Sequence, residues 1–418
     1  MSVWEQLLGQ PRAQKILQAA ALAGRMSLEA GSISADAESL AASAAKAGAV
    51  VPAQSALAHS WLVTGPPGAG RSVAGRVLAA ALQCTGEAVG CGECPGCRAV
   101  MAGSHPDVRV VATDKLLLSI DETRNLIPWA QTMPSLGRWR IVIVEDADRM
   151  AERTTNVLLK SIEEPPEHTI WVLCAPTPAD MLPTIRSRCR SLHLRTPSVE
   201  SVADYLVRDL RADPHAATQA AIVSQCHVGI AKALIQNPKL RQERLRLFGM
   251  LLVARSVGDA VFAAGRLVAE AKEIAKAETK QRDEVERADF MRTLGLEAGA
   301  RVPPALRSQV KVLEEEQARR AKRALHDVLD RVMLDLLSFY RDVLVLQLGA
   351  GVRFINADMA DEVEQMATNS LQSETLLRVG ALEVARKRLS SGGNPQIVFD
   401  ALAAALVDPA AQVQAVQA

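Results

Sequence analysis

The sequence predicts an α/β module built on a parallel sheet, followed by a small helical lid and a larger all-α region. Three observations predict it. Between about residues 60 and 196, short continuous apolar runs alternate with helical stretches, the pattern of a parallel sheet covered on both faces. The first run, WLVTG, leads directly into GPPGAGRS at residues 65–72, a glycine-rich turn between a strand and a helix. Beyond about residue 197 the strand signals vanish and helical patterns take over.

In chain order, residues 4–22 read as an amphipathic helix anchored by Leu7, Leu8, Ile16 and Leu17. From about 25 to 58 the composition shifts to Ala, Ser and Gly, with too few large apolar residues to build a core. That stretch is expected to be an inserted loop, with a helical piece possible near 35–47. The helix after WLVTG covers 71–83, and DVRVV is a second strand. SIDETRNLIPWA opens a helix through a capping box of Ser119 and Glu122. RIVIVED is a buried strand ending in carboxylates, and TTNVLLKSIEEPP is a helix stopped by Pro165 and Pro166. TIWVLCA and SLHLR complete the strands. Three short helices then lie within 197–240. Beyond 241 come charged helix around 309–325, an amphipathic run over 326–348, residues 373–390 and NPQIVFDALAAAL. The expected domains are therefore 1–196, 197–240 and 241–418.

Composition narrows the function. The 418 residues suffice for two or three domains, and 49% hydrophobic with 23% charged residues is a globular profile. A net charge of +1 and only 3% aromatic residues argue against a dedicated nucleic-acid binder, which needs a basic surface or stacking rings. No stretch of about 18 residues lacks polar breaks, and residues 1–16 hold no uninterrupted apolar core, so a cytoplasmic protein is expected.

GPPGAGRS follows the phosphate-loop pattern GxxxxGK[ST] at every position but one. Gly65, Gly68 and Gly70 let backbone N–H groups face an anion at a helix N-terminus, and Ser72 offers a hydroxyl to magnesium. Arg71 stands where the pattern has lysine; its planar fork does not replace a compact ammonium. Retained nucleotide binding and a purely structural turn both remain open. The third strand ends in Glu145 and Asp146, the reverse of the Asp-Glu order that holds magnesium and activates water in a working ATPase of this kind. A carboxylate misplaced by an ångström can lose about 10²-fold in rate; two solvated carboxylates at a strand end is the plainer reading.

Cys84, Cys91, Cys94 and Cys97, spaced Cx6CxxCxxC, suit a four-coordinate structural zinc, which leaves no open position for water. Cys174, Cys189 and Cys226 read as packing residues. LPTIRSRCRSLHL places Arg186, Arg188 and Arg190 at alternate positions, a solvated rim by default and otherwise a source of a cation for a neighbouring subunit. Arg319, Arg320, Lys322 and Arg323 read as the wet face of a helix.

Together LLGQPRA, HSWLVTGPPGAGRS, the four-cysteine insert, RIVIVEDADRM, NVLLKSIEEPP and LPTIRSRC resemble the clamp-loader branch of the AAA+ ATPases, specifically over residues 1 to about 240 and weakly beyond. The resemblance implies an AAA+ P-loop domain with a zinc module at 84–97, a lid, and a helical collar. It implies partners as well: motor subunits (gamma or tau), a delta subunit, the sliding clamp and, through the complex, primed DNA. It puts a trans-acting arginine finger on Arg188. Motor subunits of the family carry lysine in the loop, Asp-Glu on the third strand, and an arginine in a Gly-Ser-x-Arg-Asp motif of the lid. Here stand Arg71, Glu145-Asp146, and HVGIAKAL with Ala231 read at the arginine position. The expected chain is thus a non-hydrolysing stator that helps load the clamp during DNA replication. An active motor ATPase of the same fold and a zinc-dependent nucleic-acid adaptor are its rivals.

Overall fold

The computed structural model describes residues 2–30, 57–111, 126–150, 152–237, 239–293 and 307–409. Among them the chain forms two compact units, one ending at Ile235 and the other beginning at Gln236. The helices predicted as a lid belong to the first unit.

The first unit is built on five strands: β1 (Ser60–Thr64), β2 (Val108–Val111), β3 (Arg140–Val144), β4 (Thr169–Ala175) and β5 (Arg190–His193). They lie in the order β2-β3-β4-β1-β5, every pair parallel. Because successive side chains point to opposite faces, the apolar runs split into two layers. Trp61, Val63, Ile141, Ile143, Ile170 and Val172 join one core with helices Pro11–Ala30 and Arg71–Leu82. Leu62, Val142, Val144, Trp171 and Leu173 join another with helix Glu152–Glu163 through Leu158 and Ile162. Both faces are covered, which is why the strands carry no polar alternation. The chain leaving β1 turns to the first face and the chain leaving neighbouring β4 turns, through Ile185, to the second. A crevice at the carboxyl ends of β1 and β4 follows, the usual ligand position in such a sheet.

Three expectations shift. The helix predicted over 4–22 is a 3-10 turn, Val3–Gln6, followed by a helix from Pro11 to Ala30; Gly9, at φ +65°, interrupts the run, and Pro11 presets the new first turn. Residues 25–30, assigned to the insertion, continue that helix, and Arg25 donates to the carbonyls of Cys84, Gly86 and Glu87. The helical piece near 35–47 and the Ser119–Glu122 capping box lie outside the described residues; of that second helix, 126–130 are helical.

A buried ion pair fixes the edge of the sheet. Asp107, just before β2, accepts from the backbone N–H of Ser135, Leu136 and Gly137 and from the Ser135 hydroxyl, and pairs with Arg140 at 3.1 Å. Arg140 in turn lies over the Trp129 ring at 4.5 Å.

The second unit is helical: Lys239–Leu252, Val257–Thr293, Arg307–Gln347, Ala360–Asn369, Gln372–Ser390 and Pro395–Val407. Phe248, Leu329, Leu336, Phe339, Tyr340 and Phe399 centre its core. The charged and amphipathic runs predicted around 309–348 are one helix of 41 residues. Arg320 is not on its wet face: it is buried and paired with Asp283 and Glu286 of helix 257–293. Of its neighbours, Lys322 is exposed, while half-buried Arg319 and Arg323 lie near Glu315 and Asp327 of the same helix. No described helix is long and apolar enough to cross a membrane.

Burial pushes the Asp107 carboxyl up, but the N–H donors of Ser135, Gly137 and Leu136 outweigh it and hold the group at about 2, below its ordinary 3.8. A carboxyl held low stabilises the fold above its unfolded value and loses that contribution as pH falls through the folded one. Denaturant unfolding should therefore show about 2 kcal/mol lost between pH 4 and pH 2. Asp107→Asn should cost about 3 kcal/mol at pH 7, because Arg140 stays buried without its counter-charge, and should flatten that acid dependence.

Candidate functional site

The glycine-rich loop leaves β1 at the crevice. Gly65 N–H donates to Pro176 O at the end of β4, and Ala69 N–H to Pro66 O. Gly70 takes φ +91° as it starts helix 71–82, a value side chains resist. Gly68, at φ +80°, is needed for a second reason: a Cβ there would lie 2.5 Å from Cγ of His227, the residue before helix Val228–Gln236. Arg71 folds back, its Nη1 donating to Gly65 O at 2.5 Å. Ser72 lies in the first turn of the helix, half-buried.

Glu145 and Asp146 follow β3 on the same edge of the sheet. Glu145 pairs with Arg76 of helix 71–82 at 3.0 Å. Asp146 has left-handed backbone, φ 52° and ψ 48°, and lies 3.9 Å from Arg149. The carboxylate turn and the loop share one electrostatic neighbourhood: burial and then Asp146 push the Asp148 carboxyl up, while Arg71 and Arg149 oppose them. Cys174, on β4 beneath, is pushed up to about 12 by burial and then by Glu145. Sequence order alone gave the reversal of the two carboxylates; that each faces an arginine of its own chain is a structural finding. The reading of Ala231 as the lid's lost arginine position needs correction. Ala231 is fully buried, and the exposed residue of that turn, third after Gly229, is Lys232.

Two neighbours of the loop escaped sequence reasoning. Buried Gln10, in LLGQPRA, donates to Ala69 O at 3.4 Å and Arg195 O at 2.5 Å and accepts from Arg195 N–H. A polar residue between Gly9 and Pro11 after an apolar pair was its available signal. His227 offered none, because its contact with Gly68 joins positions far apart in the chain.

The three arginines of LPTIRSRCR part company. Arg190 opens β5 and lies over the Trp61 ring at 5.0 Å, Arg186 donates to Pro178 O, and Arg188 pairs with Glu163 at 3.0 Å while donating to Thr184 O. Separate partners hold the three guanidinium groups apart. Arg190 is in register with Trp61, four residues and so about 13 Å along the strand from Gly65. Arg188, two residues earlier, belongs to the opposite edge of the sheet from the loop.

The four cysteines converge. Their sulfurs lie within 4.8 Å of one another, Cys84 to Cys91 at 3.7 Å and Cys84 to Cys94 at 3.9 Å. Zinc–sulfur bonds of about 2.3 Å in a tetrahedron set the sulfurs about 3.8 Å apart, so the cluster fits a zinc ion with no remaining site. Cys94 N–H donates to Cys91 Sγ and Cys97 N–H to Cys94 Sγ. Burial pushes the Cys94 thiol up, but the donors of Cys97 and Thr85 prevail and bring it down to about 5, whereas at Cys97 burial prevails and pushes the thiol up. Cys174, Cys189 and Cys226 are buried apart from this group.

Residues 50–198 match the family model described as DNA polymerase III, delta subunit. The DNA polymerase III subunit delta-prime of Pseudomonas aeruginosa is 30% identical over 194 residues, 46% of this chain and 59% of that protein. The alignment thus spans little more than half of that relative. The delta-prime subunit of Bacillus subtilis is 25% identical over 348 residues, 83% of this chain and 90% of its own. The tau subunit of Escherichia coli is 33% identical over 151 residues, 35% of this chain and 23% of its own. The resemblance read from the motifs is borne out by the family model and both delta-prime relatives.

Metal analysis of protein prepared without chelator should return one zinc per chain. Cys91→Ser should lower metal affinity by at least tenfold in competition with a chromophoric chelator, with Cys174→Ser as an unaffected control.

Proposed function

We propose that the chain is a delta-prime-type subunit of a bacterial DNA polymerase III clamp loader. In this reading it works beside gamma or tau motor subunits and a delta subunit to place the sliding clamp on primed DNA. Its own part is a rigid platform with a structural zinc, and Arg188 completes the ATP site of the adjacent motor subunit. The observation that carries the reading is the opposition of two edges of one sheet. On one edge Arg71 is turned onto Gly65 O, while Glu145 and Asp146 face Arg76 and Arg149. On the other, Arg188 pairs with exposed Glu163 and donates to Thr184 O, beyond reach of its own loop.

Reconstituted loader carrying Arg188→Ala should assemble normally yet lose at least tenfold of its clamp- and DNA-stimulated ATPase, since an arginine in trans contributes about 10³–10⁵ in rate where it is fully used. Unchanged turnover would remove the finger. Glu163→Gln, which frees Arg188 without deleting it, should leave turnover near wild type.

The active-motor reading has two observations in its favour, the exposed Lys232 and the 33% identity to a tau subunit. It requires magnesium-dependent hydrolysis by the isolated chain, abolished by Ser72→Ala. The stator reading expects none, and expects Arg71→Lys alone not to create it.

A further inference from the structure

The segment before the first long helix touches two distant parts of the first unit. At one end it rests on the spacer between Cys84 and Cys91. Val3 N–H and the Ser2 hydroxyl both donate to Gly90 O, at 3.1 and 3.0 Å, and Trp4 Nε1 donates to Val89 O at 2.9 Å. Gly90, at φ +77°, has no room for a side chain: a Cβ would lie 2.6 Å from Trp4 Nε1 and 2.9 Å from Val3 Cγ2. The spacer itself lies against the sulfurs, since a Cβ on Gly86 would lie 2.8 Å from Cys91 Sγ. At the other end Gly9 packs on Pro197, and Gln10 clasps the backbone of Ala69 and Arg195. Between the two ends Val3, Trp4 and Leu7 are buried.

We propose that residues 2–10 are a strap whose seat is the metal-organised cysteine spacer, and that metal occupancy thereby positions Gln10 where it joins the glycine-rich loop to the chain entering the lid helices. The proposal rests on the metal reading of the four cysteines. The spacer offers its Gly90 and Val89 carbonyls in one geometry only while its two ends are pinned at Cys84 and Cys91. With four thiols and no ion, those sulfurs have weak hydrogen bonds instead of bonds to a common centre. The strap then loses its seat, and Gln10 loses the anchor that fixes its position. Gln10 is a positioning residue in this scheme; it acts on the loop through Ala69 O.

The test is amide hydrogen exchange of the full chain, with metal content measured on the same sample. Four preparations are compared: metal-loaded protein, protein stripped with a chelator under reducing conditions, metal-loaded Trp4→Ala and metal-loaded Gln10→Ala. Stripping should raise exchange at least tenfold at residues 2–7 and at 195–202, while β3 peptides stay protected. Trp4→Ala should loosen 195–202 in the same way while keeping one metal per chain. Gln10→Ala should loosen 195–202 alone and leave Val3 protected. Equal protection of 195–202 in all preparations, or exchange in β3 that tracks the strap, would overturn the linkage. A chain with no metal as purified and a fully protected strap would overturn the metal reading, whatever Trp4→Ala then does.

Discussion

The placement of β1 between β4 and β5 is the constraint on which the rest of the first unit depends. All five of its residues are buried, its ladder partners are parallel on both sides, and its register with β5 sets Trp61 beside Arg190. A shift by one residue would exchange Trp61 and Val63 with Leu62 between two cores of different shape. With register fixed, the glycine-rich turn can only leave at one edge of the sheet and the Arg188 turn can only arrive at the other. The separation of the glycine-rich turn from the Arg188 turn is a consequence of strand pairing, not of the residues within either turn.

The cysteine module serves that same architecture. It closes directly behind helix 71–82: Cys84 lies two residues past the helix end, and Cys97 Sγ contacts Ala80 O. Gln83 between them donates to Trp139 O and accepts from Arg138 N–H, reaching the strand beside β4. The helix that begins at the glycine-rich loop is thus held at both ends, by backbone contacts to β4 and Gln10 at its start and by the four sulfurs behind its last turn.

Much of this was legible in the sequence, because the signals were local. Continuous apolar runs gave the strands, Cx6CxxCxxC gave the cluster, and two prolines gave the end of helix 152–163. What escaped depends on contacts between distant residues. Arg320 reads as solvent-facing in a run of cations until Asp283 and Glu286, on another helix, come to meet it. Arg25 falls in a composition shift that reads as loop, yet it holds three carbonyls of the cysteine spacer. Ala231 reads as the position of a nucleotide-facing cation by its place in a motif, whereas it lies buried within helix Val228–Gln236.

The pair of Arg188 with Glu163 has one further consequence. Glu163 is the last residue of its helix, where the macrodipole is negative and a carboxylate is poorly placed. Arg188 relieves that mismatch, so the guanidinium is not an idle group awaiting a visitor. Any anion that drew Arg188 away would have to displace this resident carboxylate, which would then face an uncompensated helix end. Because the pair is exposed, the contact weakens as ionic strength rises. The contact thus acts as a tether that biases the guanidinium toward the end of helix 152–163.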